Sequence, residues 1–242
     1  MRTAIQRDAE QAREEAGRLY DELQRAHQAS QLLANVGKAL TSSLQLDELM
    51  DRLAHVVVAA FADWCVVDVV EQGYDQRVAV AHRDPAKEEL ARQIQRRFQP
   101  VSSASSPIRQ VLDSGEPMFV PDYTLDLAPQ QGVQPGDLDL LRQLMPRSSI
   151  SVQLSGRRGP IGVMSFLQSD SNRRFSADDL QLAQEIAGRA ALAIENAQLY
   201  RDTQRYAADR RDAEERQRFI AEASKALDSS LDYRVTLDSL AK

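Results

Sequence analysis

The sequence predicts an α+β fold, with a small antiparallel sheet domain hung between two long terminal helices. Three observations predict it. Toward the C-terminus, Leu182, Ala183, Ile186, Ala187, Ala190, Ala191, Ile194 and Ala197 recur at helical spacing. Toward the N-terminus, apolar and small residues follow alternating steps of four and three from Ile5 to Leu40. Between them the period shortens to dense β-branched runs separated by glycine turns, the pattern of hairpins.

The N-terminal helix has no proline before Leu40, and its first glycine is Gly17. Its seam runs Ile5, Ala9, Ala12, Ala16, Leu19, Leu23, Ala26, Ser30, Leu33, Gly37, Leu40. Small or polar residues at several of these positions predict weak, adjustable pairing with a partner helix. The other reading is a single amphipathic helix lying on its own domain; its length argues against that, since it would overhang a small body. Thr41-Ser42-Ser43 interrupts the pattern, because these side chains compete for backbone hydrogen bonds. LDELMDRLAHVVVAAF then gives a second helix with Leu46, Leu49, Met50, Leu53, Val56, Val57 and Ala60 on one face.

Asp63 to Glu71 reads as a central strand and Arg77 to His82 as its hairpin partner across the turn Gly73-Tyr74-Asp75. Asp84-Pro85 opens a polar helix to about Phe98. Ser102 to Ser105 is flexible, and Ser106-Pro107 starts a short helix that Gly115 ends. PMFVP (117–121) is a short strand. The polar loop 122–137, with Pro129, Gly132, Pro135 and Gly136, has the length of a functional lid. A short helix, Leu138 to Met145, stops at Pro146. Strands Ser149 to Leu154 and Ile161 to Leu167 form a second hairpin around Gly156-Arg157-Arg158-Gly159. Phe175 leads into the long helix, which Ser176 and Asp179 open as a reciprocal cap. Nothing stops that helix at Tyr200, and RDTQRYAADRRDAEERQRFIAEASKAL reads on as helix.

A repeat sets the domain boundaries. ANVGKALTSSLQ (34–45) returns as AEASKALDSSLD (221–232), and Leu53-Ala54 returns as Leu240-Ala241 at the same offset. Leu19-Tyr20 likewise matches Leu199-Tyr200. The interval from Tyr200 to Lys225 exceeds that from Tyr20 to Lys38 by seven residues. One heptad adds about 10.5 Å of helix and keeps a seam in phase. The expected organisation is a coiled-coil helix (1–31), a central sheet domain (32–200), a coiled-coil linker helix (201–227), and the start of a second domain copy (228–242). The expected inter-chain seam comprises Ile5, Ala12, Leu19, Leu23, Leu33, Leu192, Leu199, Tyr206 and Ile220.

Bulk composition excludes several classes. A net charge of -6 argues against a general nucleic-acid binder. A single cysteine, Cys65, excludes an internal disulfide and a cysteine-built zinc site. No apolar run approaches the roughly 18 residues that span a bilayer, and MRTAIQRDAEQAREE has no signal-peptide core. The segment reads as soluble and cytoplasmic, without membrane contact.

From about Leu32 to Tyr200 the chain resembles the GAF domain, the small-ligand sensory module of bacterial signalling proteins. The resemblance rests on the serine break before LQLDELMDRL, on ADWCVVDVVE with RVAVAH, on SGEP (114–117), on SSISVQL with GPIGVMSF, and above all on RRFSADDLQLAQEIAGRAALAIENAQLY. It implies a six-stranded antiparallel sheet, one face packed on the terminal helices and the other closed by loops and short helices over a pocket. It also implies parallel homodimers through the helices and an output domain, a histidine kinase or a metal-dependent serine phosphatase, elsewhere in a longer parent protein. Gln153 departs from the family, standing where many members have proline. The asparagine–lysine–phenylalanine–aspartate–glutamate signature of cyclic-nucleotide-binding members is incomplete around Asn172-Arg173, Phe175 and Asp178-Asp179. No cysteine lies where bilin-binding members attach their chromophore.

The chemistry points to binding rather than catalysis. His27, His55 and His82 have no metal-ligand spacing, so neither a metal nor a cofactor is expected. Cys65 sits in a β-branched run and reads as a buried small hydrophobe. Asp68 interrupts CVVDVV; a carboxylate in a central strand must be paired, hydrogen-bonded or facing a wet cavity, the bland reading being an aspartate that faces solvent or bonds the adjacent backbone. Ser149, Ser151 and Gln153 give one strand a polar face. The expected ligand-lining set is Asp68, Val80, His82, Phe98, Ile108, Tyr123, Met145, Ser149 and Ser151, around an unidentified small molecule. The alternative is a ligand-free dimerisation or relay module whose pocket is plugged by Tyr123, Leu125 and Met145.

Overall fold

The computed structural model describes residues 2–43, 45–71, 74–87, 89–90, 92–93, 107–124, 126, 142–143 and 145–240. In chain order it contains α1 (Arg2–Leu40), α2 (Leu46–Ala60), β1 (Trp64–Glu71), β2 (Tyr74–His82), a 3-10 turn (Pro85–Lys87), α3 (Pro107–Ser114), β3 (Met118–Val120), β4 (Ser148–Gly156), β5 (Gly159–Gln168) and α4 (Ala177–Leu240). The five strands form one sheet in the order β2-β1-β5-β4-β3, and every neighbouring pair is antiparallel. Five strands is one fewer than the family resemblance implies; no sixth lies among the described residues.

The helix break after Leu40 is made by side chains turning back on the last turn. Thr41 Oγ1 donates to the carbonyls of Gly37 and Lys38, and Ser42 Oγ to that of Ala39. This satisfies carbonyls that the helix end leaves unpaired. Ser229-Ser230, the repeat of Ser42-Ser43, lies inside α4 instead. A serine pair therefore permits the break without imposing it.

The core lies on one side of the sheet. Alternate residues Cys65, Val67 and Val69 of β1, Ile150, Val152 and Leu154 of β4, and Met164 and Phe166 of β5 are buried. They share a hydrophobic cluster with Leu49, Met50, Leu53 and Val57 of α2, Leu32 and Val36 of α1, and Ala183, Ile186, Ala187, Ala190, Ala191 and Ile194 of α4. The alanines of α4 let its backbone lie close to the strands, and the larger α2 side chains fill the remaining space. Phe61 bridges the layers, edge-on to Phe166 at 5.2 Å between ring centres and tilted on Phe175 at 5.3 Å.

α4 is fixed at two points. Its start carries the expected reciprocal cap, with Ser176 N donating to Asp179 Oδ2 at 2.8 Å and Asp179 N donating to Ser176 Oγ at 3.3 Å. Five turns on, Glu195 Oε1 accepts from Arg157 N in the β4–β5 turn at 2.6 Å. The chain divides into two compact units, residues 1–196 and 197–242, and the second is made of the C-terminal part of α4.

Candidate functional site

Strand alternation sends every second side chain to the sheet face opposite the helices. The register defines that face. Trp64 stands opposite His82 and Leu167, Val66 opposite Val80 and Ser165, and Asp68 opposite Arg77 and Val163. On the far side of β5, Ser149, Ser151 and Gln153 oppose Leu167, Ser165 and Val163. The structure thus gathers Asp68, Val80, His82, Ser149 and Ser151 on one surface.

Asp68 takes the paired option. It neither faces solvent nor bonds the backbone. Arg77 Nε donates to Oδ1 at 2.7 Å and Nη2 to Oδ2 at 3.1 Å, and both side chains are buried. A β-bulge at Val67/Asp68 shifts the register and brings Arg77 opposite, where strict pairing would bring Val78. Asp68 is therefore a neutralised structural ion pair. The hairpin put Arg77 within reach in sequence, but the bulge that selects it leaves no local signal.

Part of the face is covered. Ile108, Val111 and Leu112 of α3 pack on Val163, Val70 and Met118. Gln153 Nε2 donates to the carbonyls of Leu112 at 2.9 Å and Val111 at 3.4 Å, capping the end of α3. That is a role the family's usual proline, with no side-chain donor, cannot play. Gly115, at φ 72°, supplies the left-handed residue that ends the helix. Ser151 and Ser165 hydroxyls bond each other at 2.9 Å.

At the other end of the face, Val80 packs with Trp64, Val66, Leu90 and Leu167. The Trp64 and His82 rings lie 4.2 Å apart. His82 Nδ1 accepts from Asp84 N at 2.9 Å and lies 3.2 Å from the Asp84 carbonyl; the shorter contact, from a fixed donor, assigns the ring proton to Nε2. Asp170 Oδ2 is 3.3 Å from Nε2 and also contacts Lys87 Nζ. Among the described residues three buried side-chain atoms have no hydrogen bond: Trp64 Nε1, His82 Nε2 and Ser169 Oγ. All three belong to the adjoining ends of β1, β2 and β5.

Next to them is a carboxylate the sequence reading missed. Asp63 is buried, and its Oδ2 accepts from Ser169 N, Ser171 N and Ser171 Oγ at 2.7, 2.9 and 2.7 Å. Burial pushes its acid up, but these hydrogen bonds and the nearby Arg83 guanidinium outweigh that and hold it below the ordinary value. The bonds tie the start of β1 to the loop that leads into α4.

The remaining expected residues lie elsewhere or outside the described set. Tyr123 and Met145 line a cavity of about 240 Å³ with Arg142, Pro146 and Arg147. Burial pushes the Tyr123 phenol up. Phe98 and Leu125 lie outside the described residues, as does most of the loop expected to close a pocket. A larger groove, about 780 Å³, runs between α1, the end of α2 and the start of α4, and involves Leu32, Phe61, Leu182, Arg25 and Asp178. Cys65 is buried, and desolvation pushes its thiol far up. Among the described residues no three His, Cys, Asp or Glu side chains group as metal ligands, and no helix is long and apolar enough to cross a membrane. Of the expected seam, Leu19, Leu23, Leu192, Leu199, Tyr206 and Ile220 are exposed. Leu33 instead packs partly against its own domain core. The side chains of Ile5 and Ala12 lie outside the described set.

Comparison with known proteins agrees with this architecture. A family model described as "GAF domain" matches residues 43–195. No curated protein matches the chain. Among solved structures, it is similar to the GAF domain of a phosphoenolpyruvate-protein phosphotransferase from Coxiella burnetii, at TM-score 0.54 and 13% identity, covering 72% of this chain and 97% of that one. It is similar to the free methionine-R-sulfoxide reductase of Neisseria meningitidis at TM-score 0.53 and 14% identity, covering 71% and 91%. It is also similar to residues 122 to 287 of a methyl-accepting chemotaxis protein at TM-score 0.51 and 15% identity, covering 68% and 98%. The matched span takes in both hairpins, the helix-backed sheet and the start of α4, and the chain belongs to the GAF domain family.

Proposed function

We propose that this GAF domain is a sensory module that binds a small molecule on the sheet face opposite its helices and relays that event through α4. Members of the family are often sensory, ligand-binding parts of signalling proteins and are generally regulatory rather than catalytic. One observation carries the proposal. Buried polar groups, Trp64 Nε1, His82 Nε2 and Ser169 Oγ, make no hydrogen bond at the end of that face, and the loop next to them runs directly into α4. Unpaired buried polar groups are rare in a face that serves only packing. A ligand that favours one arrangement of this loop shifts the population of α4 arrangements by its difference in affinity.

The organisation proposed around this domain is a signalling helix at 1–31, a linker helix at 201–227, and a second domain copy beginning at 228. Two chains pair in parallel through Leu19, Leu23, Leu192, Leu199, Tyr206 and Ile220, and the output domain, a histidine kinase or serine phosphatase, belongs to a longer cytoplasmic parent protein. A second reading, a ligand-free relay, is favoured by the polar side chains on the same face that already have protein partners: Asp68 with Arg77, Gln153 with the Leu112 carbonyl, and Ser151 with Ser165. Thermal-shift screening of the full chain against metabolites and cyclic nucleotides separates the two. A compound that binds the folded state must raise the melting temperature. A broad library that leaves it unchanged supports the ligand-free relay.

A further inference from the structure

The geometry points to a carboxylate seat at the Trp64–His82 end of the sheet, occupied in this state by the protein's own Asp170 and taken by the carboxylate of a small, partly apolar ligand. The inference rests on the sensory reading above and narrows it to a ligand class.

The seat is made of donors. The His82 ring proton is on Nε2, because Nδ1 already accepts from Asp84 N. Trp64 Nε1 can only donate. Lys87 Nζ adds a charged donor beside them. His82 Nε2 and Lys87 Nζ meet at Asp170 Oδ2, and the Trp64 ring, 4.2 Å from that of His82, carries a third donor without an acceptor; such a set of donors beside an apolar patch suits an anionic oxygen acceptor. The apolar part of the ligand is specified by the neighbours: Trp64, Val66, Val80, Leu90 and Leu167 form a cluster separate from the main core. Asp170 fills the seat incompletely. Its Oδ2 contacts Lys87 and lies 3.3 Å from His82 Nε2, while Trp64 Nε1 gains no bond from it. An external carboxylate on an aromatic or aliphatic body reaches both. It then displaces Asp170, and Asp170 lies between Ser169 and Ser171, the two residues that Asp63 holds. Ligand capture and the entry to α4 are thereby coupled through the stretch Ser169–Ser171. No covalent step is involved.

Trp64 is the chain's one tryptophan, so its emission reports the seat directly. The experiment uses the full 242-residue chain and sodium acetate as the probe, with sodium chloride at matched ionic strength as the control. In Asp170→Ala the emptied seat is expected to give a saturable Trp64 emission change with acetate and none with chloride. The wild type is expected to need about tenfold more acetate, since removing one competing charged hydrogen bond is worth roughly a factor of ten. His82→Phe on the Asp170→Ala background is expected to abolish the response. Asp170→Ser serves as a second variant if Asp170→Ala melts early. Equal responses to acetate and chloride, or an acetate response that survives His82→Phe, overturn the seat. The thermal-shift screen keeps this outcome apart from the broader reading. A stabilising ligand without a carboxylate refutes the seat and leaves the sensory role standing. A positive acetate result with an empty screen supports the seat and counts against the sensory role.

Discussion

Asp63 and Asp68 are five residues apart, and both are buried, yet each is held by different means and gives a different test. Asp68 relies on one guanidinium. Asp68→Asn removes the carboxylate charge that faces the Arg77 guanidinium in a buried site, and is expected to cost about 3–5 kcal/mol in urea unfolding. Asp63 relies mainly on backbone and hydroxyl donors. Its acid is lowered in the folded state, so its contribution is present above the unfolded value and is lost as pH falls through the folded one. Urea midpoints are expected to drop below about pH 4, and Asp63→Asn is expected to flatten that slope. Cys65, whose thiolate is strongly disfavoured by burial, is expected to stay unreactive toward Ellman's reagent until the chain unfolds. At this scale the sequence showed which residues were unusual, an aspartate amid valines and a lone cysteine in a strand. It did not show their partners, because a bulge and a loop return decide those. Trp64 went unnoticed for a similar reason. A tryptophan at a strand start looks like ordinary core until its indole nitrogen is seen to lack an acceptor.

The elements were more legible than their ends. Period alone separates α2 from β1 and fixes both hairpins, since an amphipathic helix and an alternating strand bury different residues. Ends of β2, β4 and β5 lie one to three residues beyond the expected bounds, for instance at Tyr74 in β2 and Gly156 in β4, because backbone pairing continues past the apolar run, whereas β1 and β3 each start one residue later than expected. The contacts that lock elements together are invisible to period. At Gly162 an added Cβ would lie 2.1 Å from the Asp68 carbonyl of the neighbouring strand. Gly162→Ala must push β1 and β5 apart and is expected to destabilise by about 1–3 kcal/mol, read from chemical denaturation. The sequence shows a glycine in a strand there; only the register explains it. Glu195 is the corresponding case on α4, where an acid within an alanine-rich helix turns out to pin a hairpin turn.

For the whole molecule, the fold class was predictable because both ends carry long uninterrupted helical patterns and the middle does not. The proposed pairing of two chains was legible only as a pattern of exposed apolar positions. Leu192, Leu199, Tyr206 and Ile220 follow steps of seven or fourteen and remain exposed, so a parallel two-chain seam is the arrangement that would bury them. Sedimentation equilibrium is expected to give twice the chain mass, and Leu199→Glu with Tyr206→Glu to return it to that of one chain.

The buried charge pair also bears on how the sheet avoids its own kind. β2 is an edge strand among the described residues, and long edges with alternating apolar residues recruit further strands. An arginine turned inward from that edge, beside a kink in the ladder, makes such docking costly, because a stacked neighbour would have to accept a misaligned ribbon. Replacing the pair together, Asp68→Leu with Arg77→Met, should regain much of the stability that the single substitution loses. The same variant should scatter light and bind thioflavin on gentle warming, while the native chain stays clear.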